Sequence, residues 1–217
     1  MSTTYVLVPG AGGDPHYWHL VAPLLERGGH RVITPDLPAA DDDAHLCDYA
    51  DAIVAAADWQ VGIVLVAQSM GAFPASMAAA RLDVERIVLV APMIPAPGET
   101  PGEWWSATGQ DVAAHDAPSD IRELFFHDVP GPVTEEVFAR GAPEQSGTPF
   151  GDPWPLDAWP DLPTRVVAGR RDRLFPLGFM RELSQARLGV EPEVIDSGHL
   201  PAFSTPESLA EQLRIQA

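Results

Sequence analysis

The 217-residue chain reads as an α/β domain: a doubly wound, mostly parallel sheet of six strands. Short apolar, β-branched runs alternate with stretches of helical spacing. Glycine and proline punctuate the junctions between them. A single long departure from that rhythm, from Met93 to about Pro163, is the third observation; it reads as an inserted cap.

Tyr5 to Val8 is the first strand, ending in the loop Pro9-Gly10-Ala11-Gly12-Gly13. Trp18 to Arg27 carries helical spacing through Trp18, Val21, Leu24 and Leu25, and Gly28-Gly29 stops it. Arg31 to Thr34 is a strand. Asp41-Asp42-Asp43 then fits the solvated start of a helix, Ala44 to Ala57, better than a metal cluster. Cys47 in that helix is expected to be a small buried residue, and as the one cysteine it excludes an internal disulfide. Val61 to Ala67 is the central strand, Ala72 to Arg81 a helix and Arg86 to Val90 the fourth strand.

In the cap, proline, glycine, tryptophan and acidic residues dominate. Short helices fit Pro101 to Thr108, Asp120 to Phe126 and Thr134 to Arg140. The continuous apolar pattern there is too small for a separate core, so one domain spans 1–217 with the cap, 93–163, inside it. Strands Thr164 to Ala168 and Glu191 to Ile195 follow, each leading to a helix, Pro176 to Arg187 and Pro206 to Ile215.

Composition excludes several functions. The net charge of −18 argues against nucleic acid, because phosphate contacts need a basic surface. The chain contains no lysine, which removes Schiff-base chemistry and a P-loop. No apolar run approaches the ~20 residues of a membrane span. With no basic leader before the first strand, the expected location is cytoplasmic. None of the seven histidines forms a metal-ligand motif, so no metal and no cofactor are expected. The glycine loop lacks the spacing of a dinucleotide cradle.

The chemistry centres on Ala67-Gln68-Ser69-Met70-Gly71, where a buried strand turns into a helix. A serine at such a bend projects its hydroxyl above the sheet, at the positive end of the following helix, and small neighbours permit the bend. The spacing A-x-S-x-G proves little alone; a serine nucleophile also needs partners. His199, after the last strand, is the candidate base, and Asp172, after strand Thr164 to Ala168, the candidate orienting carboxylate. Both fall at the C-terminal strand edge that carries Ser69. Asp196 is a weaker rival, too close in sequence to His199 to face its ring. The order Ser69, Asp172, His199 is the α/β-hydrolase order. The N–H groups of Met70 and Ala11 are the candidate oxyanion donors. Gly10, Met93, Trp104, Trp105, Phe125 and Phe126 are candidates to line an apolar pocket, although the aromatic residues fit the cap's own core equally well. His127 fits a cap-stabilising residue better than a second base.

On these residues the chain resembles the α/β-hydrolase superfamily, and in particular the small-cap branch that includes plant methylesterases and hydroxynitrile lyases. The matching stretches are V-L-V-P-G-A-G-G with Trp18 beyond it, G-H-R-V-I-T-P-D-L, L-V-A-Q-S-M-G, S-G-H-L-P and P-E-S-L-A-E-Q-L. The resemblance implies Ser69, Asp172 and His199 as a triad, Ala11 and Met70 as the oxyanion hole, and a small-molecule ester as substrate. Three positions depart from the branch: Pro9-Gly10 replaces His-Gly, Ala67-Gln68 replaces Gly-His, and Leu200 stands where hydroxynitrile lyases carry a cation. The last speaks against cyanohydrin cleavage. The chain also opens at the family's third strand, which implies a trimmed sheet. A cofactor-free lyase, a carbon–carbon bond hydrolase and a non-catalytic ligand binder are the rival functions.

Overall fold

The computed structural model describes residues 2–110, 118–141 and 143–214. Six strands form one sheet: β1 (Thr4–Val8), β2 (Arg31–Ile33), β3 (Ile63–Gln68), β4 (Val84–Val90), β5 (Thr164–Gly169) and β6 (Glu193–Ile195). Their order is β2-β1-β3-β4-β5-β6, and every pairing is parallel. The strand order reverses direction between β1 and β3, which is where a doubly wound sheet opens a crevice at its C-terminal edge.

The period-two alternation of the strands divides the core into two layers. Val6, Val8, Leu65, Ala67, Leu89 and Ala168 face one layer, covered by α2 (Leu46–Ala56), α3 (Ala72–Ala79) and α7 (Leu177–Leu188). Tyr5, Leu7, Val64, Val66, Val88 and Val167 face the other, covered by α1 (Ala22–Arg27), α8 (Pro201–Ser204) and α9 (Pro206–Arg214). Burial on both faces explains why β3 reads as an unbroken apolar run rather than an alternating one. Among the described residues no helix is long and apolar enough to cross a membrane.

Between β4 and β5 the chain leaves the sheet. It turns at Ala91, which takes a left-handed backbone with φ of 43°. The excursion carries α4 (Pro101–Ala107), α5 (Ile121–Phe125) and α6 (Gly131–Arg140). A buried ion pair roots it in the main body. Glu99 receives Arg187 Nη2 on Oε1 at 2.8 Å, while Oε2 takes the Ala96 N–H at 3.0 Å. Trp154 adds a second root, its indole N–H donating to Ser76 Oγ at 3.0 Å.

Several boundaries differ from the sequence reading. Pro15–Trp18 is a 3₁₀ turn separate from α1, because Asp14 caps it by accepting the His16 N–H at 2.8 Å. The third strand begins at Ile63, after Gly62 with φ of 62°, and leaves Val61 exposed. The fourth strand begins two residues earlier than Arg86, at Val84. The acidic run Asp41–Asp43 stops short of α2, which His45 caps instead with Asp48 in its first turn. Cys47 is exposed, not buried: Leu46, Tyr49, Ala50 and Ile53 take the inner face of α2 and leave it on the outer one. The last helix was expected to reach Ile215, which lies outside the described residues.

Candidate active site

Strand register brings the functional segments together. Val8 pairs with Ala67, Gln68 with Val90, Val90 with Val167, and Gly169 with Ile195. The residues that follow β1, β3, β5 and β6 therefore emerge along one edge. Ser69 is the first residue beyond β3 and takes φ of 49°, a left-handed conformation that costs a non-glycine residue about 1–2 kcal/mol. The strain is held by packing. A Cβ on Gly71 would lie 2.3 Å from the Pro9 carbonyl oxygen, so only glycine lets the turn after Ser69 settle on the β1 loop. Gly10 is equally confined, with Gln68 Oε1 and Ser69 Cβ filling the space a side chain would need.

Ser69 is half-buried, and His199 Nε2 lies 3.2 Å from its Oγ. The far nitrogen of the ring, Nδ1, lies 2.8 Å from Asp172 Oδ2. Asp172 is fixed in turn: its Oδ1 accepts the backbone N–H groups of Leu174 at 2.8 Å and Phe175 at 2.9 Å. Both side chains are almost fully withdrawn from solvent. A carboxylate held by two backbone N–H groups accepts from the ring and orients it so that Nδ1 carries the proton and Nε2 faces the hydroxyl. An imidazole so placed can take the Ser69 proton. Phe175 and Phe125 pack edge-on against it, with centroids 4.9 and 5.5 Å away.

The rival carboxylate is elsewhere. Asp196 is exposed and pairs with Arg171 at 3.2 Å. The arginines beside Asp172 are likewise engaged away from it, Arg171 with Asp196 and Arg173 with Glu123.

Met93 lies against the nucleophile candidate, its N–H donating to the Ser69 carbonyl at 3.0 Å. Ala11 is exposed at the tip of the turn that the Gly13 N–H closes on the Gly10 carbonyl at 3.1 Å. Met70 follows Ser69 in a 3₁₀ turn and is buried. Trp104 is fully buried, with its indole N–H on the Ile94 carbonyl at 2.9 Å, and sits in the core of the α2–α3 layer. Trp105 is half-buried on the same side and touches Phe175. Phe126 packs into the opposite layer, with Phe138 and Phe203. The adjacent phenylalanines thus part company, Phe125 toward His199 and Phe126 away from it.

Three partners escaped the sequence reading. Gln68 Nε2 donates to the His199 carbonyl at 3.4 Å. Asp128 Oδ2 accepts the Gly198 N–H at 2.6 Å, and its side chain is only 2% exposed. Gln145 Oε1 accepts the Gly12 N–H at 2.8 Å, while its Nε2 donates to Tyr49 Oη at 3.0 Å. Asp128 and Gln145 both lie on the excursion, where no periodic pattern marked them.

The sheet and its edge define a hydrolase-type α/β architecture, with a strained serine at a strand-to-helix turn. Residues 5–212 match the model of the alpha/beta hydrolase family, and the chain belongs to that family. Its relatives include a pyrethroid hydrolase of Sphingobium wenxiniae, 28% identical over 97% of this chain and 86% of that protein. Another is norfluorocurarine synthase 1 of Strychnos, 22% identical over 97% of this chain and 93% of that protein. Among solved structures, the pyrethroid hydrolase of Sphingobium faniae superposes with a TM-score of 0.77 at 24% identity, covering 98% of this chain and 96% of that one. A methylesterase of Arabidopsis superposes at 0.78 and 20% identity, covering 97% of both chains.

Proposed function

We propose that the protein hydrolyses a carboxylic ester of a small hydrophobic substrate through an acyl-enzyme intermediate, with Ser69 as nucleophile. The observation that carries this reading is the hydrogen-bonded chain from Ser69 Oγ to His199 at 3.2 Å and from His199 to Asp172 at 2.8 Å. His199 takes the Ser69 proton as Oγ attacks the ester carbonyl. The N–H groups of Ala11 and Met70 hold the oxyanion, each worth about 3 kcal/mol in the transition state. His199 then gives its proton to the departing alcohol. In the second half it activates water, which releases the acid and restores Ser69. Asp172 stabilises the imidazolium in both halves. The excursion caps the edge, and Met93, Phe125 and Trp105 are its candidates for the apolar wall. Relatives named as hydrolases and methylesterases add support to the reaction class.

Ser69→Ala is expected to lower kcat on a p-nitrophenyl ester by about 10⁴-fold or more. It should also abolish labelling by a fluorophosphonate probe. An unlabelled wild-type chain would favour a ligand binder, and cleavage of β-diketones or aldols without esterase activity would favour the lyase or carbon–carbon hydrolase reading.

A further inference from the structure

A second cluster lies outside this site. His16 and His19 sit at the 3₁₀ turn that follows the β1 loop, and Glu136 sits on α6 of the excursion. One ligand atom from each falls within 4.8 Å of the others. Glu136 Oε1 is 3.5 Å from His16 Nε2 and 3.8 Å from His19 Nε2. Tetrahedral ligands of a zinc-sized ion, bound at about 2.0–2.2 Å, stand roughly 3.4 Å apart, so these gaps are close to the edges of such a polyhedron.

The cluster has a buried polar atom left without a hydrogen-bond partner. His19 Nδ1 lies 2.8 Å from the His16 carbonyl oxygen, which can only accept, so Nδ1 carries the proton. In neutral His19 the lone pair is then on Nε2, the atom facing the carboxylate. His16 Nε2 is buried and has no hydrogen bond. His19 thus aims a lone pair, and His16 a buried, unbonded ring nitrogen, at one carboxylate, a set of groups that a metal ion can join. The His19 bond to a backbone carbonyl is the support that metal-ligating histidines ordinarily have. Arg140, the nearby cation, turns onto Asp14 at 3.7 Å. The rings stack 4.0 Å apart and 6° from parallel. One must rotate to share an ion, and His16, unbonded at Nε2, is the one placed to do so.

We propose that His16, His19 and Glu136 form a binding site for a divalent transition-metal ion of the zinc class, with water completing the shell. Imidazole and carboxylate donors suit that class. The ion would tie α6 to the segment that follows the β1 loop.

Zn²⁺ titrated into the metal-stripped full chain, followed by calorimetry, tests this. One ion per chain is expected, with a rise in thermal midpoint. The Co²⁺ complex should show the visible absorption of a nitrogen–oxygen site. Glu136→Gln and His19→Ala should each weaken binding about tenfold or more and remove the thermal shift. Glu136→Gln changes an exposed side chain conservatively, so it reports on the site even if a histidine variant folds poorly. No saturable binding, or binding that Glu136→Gln and His19→Ala leave unchanged, overturns the proposal; the latter would place the ion among the other surface carboxylates.

Discussion

Asp128 Oδ2 accepts the backbone N–H of Gly198 at 2.6 Å, one residue before His199. The carboxylate comes from the excursion and the N–H from the loop after β6, so a residue 70 positions upstream sets where the imidazole loop lies. Gly198 makes the approach possible, because a Cβ there would meet Asp128 Oδ1 at 2.6 Å. On its other side the same loop leans on Gly169, where a Cβ would lie 2.5 Å from the Ser197 carbonyl oxygen.

Removing that acceptor should displace His199 without touching substrate. Asp128→Ala is expected to lower kcat for ester hydrolysis about 10- to 100-fold, the scale of a sub-ångström misplacement, with little change in KM. Asp128→Asn keeps an acceptor oxygen for Gly198 and should recover most of the rate. Equal losses in both variants, or a loss confined to KM, would count against a positioning role.

Gly71 provides a test of the strained turn. Gly71→Ala drives a methyl group into the Pro9 carbonyl, 2.3 Å away. It should cost about 1–3 kcal/mol in urea unfolding and depress kcat, because Pro9 and Ser69 separate. Gly178→Ala in α7 meets nothing within 4 Å and is the matched control. That change should stabilise by about 0.5–1 kcal/mol, the helix preference for alanine.

The Glu99–Arg187 pair should behave as a buried ion pair. Their side chains are only 8% and 16% exposed. Arg187→Met alone strands the carboxylate and should cost about 3–5 kcal/mol, measured by denaturant midpoint. Glu99→Leu with Arg187→Met removes both charges and should cost less than the single change.

His30 predicts a pH dependence. Burial first, and Arg214 second, hold its imidazole below the ordinary value of 6.5. Its Nδ1 lies 3.4 Å from the Thr3 N–H as acceptor, which only a ring unprotonated at that atom permits. With the folded value depressed, the unfolded chain binds the proton first. His30 then contributes stability in full above pH ~6.5, and that contribution is lost as pH falls through the lower folded value. Thermal midpoints of His30→Phe should fall less steeply across that window than those of the wild type.

The parallel sheet and the residues at its edge were legible because parallel strands end on one side. A residue just past a strand end is thereby located in space, as Ser69, Asp172 and His199 are. Strand and helix starts were less legible at Gly62, Val84 and Asp14, where a turn or side-chain cap decides the boundary. Cys47 shows the same limit on a helix face. Helical spacing marks α2, but Leu46, Tyr49 and Ile53 decide which side turns inward. The excursion was opaque for a different reason. Asp128, Gln145 and Glu136 find their partners across 70, 133 and 117 to 120 positions, and no local period encodes such a meeting. Phe125 and Phe126 are indistinguishable in sequence, yet they serve opposite layers of the core.

The contacts at Met93, Asp128 and Gln145 have a consequence for how this chain could be remodelled. Together they reach the Ser69 carbonyl, the Gly198 N–H and the Gly12 N–H. The excursion thus aligns the three segments that carry the candidate site. A graft that replaces residues 93–163 to change substrate range would strip three alignment pins at once. Such a chimera should lose its rate unless an acceptor for Gly198 and one for Gly12 travel with the new segment, and it keeps its fold only if a partner for Arg187 and replacements for the buried Trp104 and Trp154 travel too.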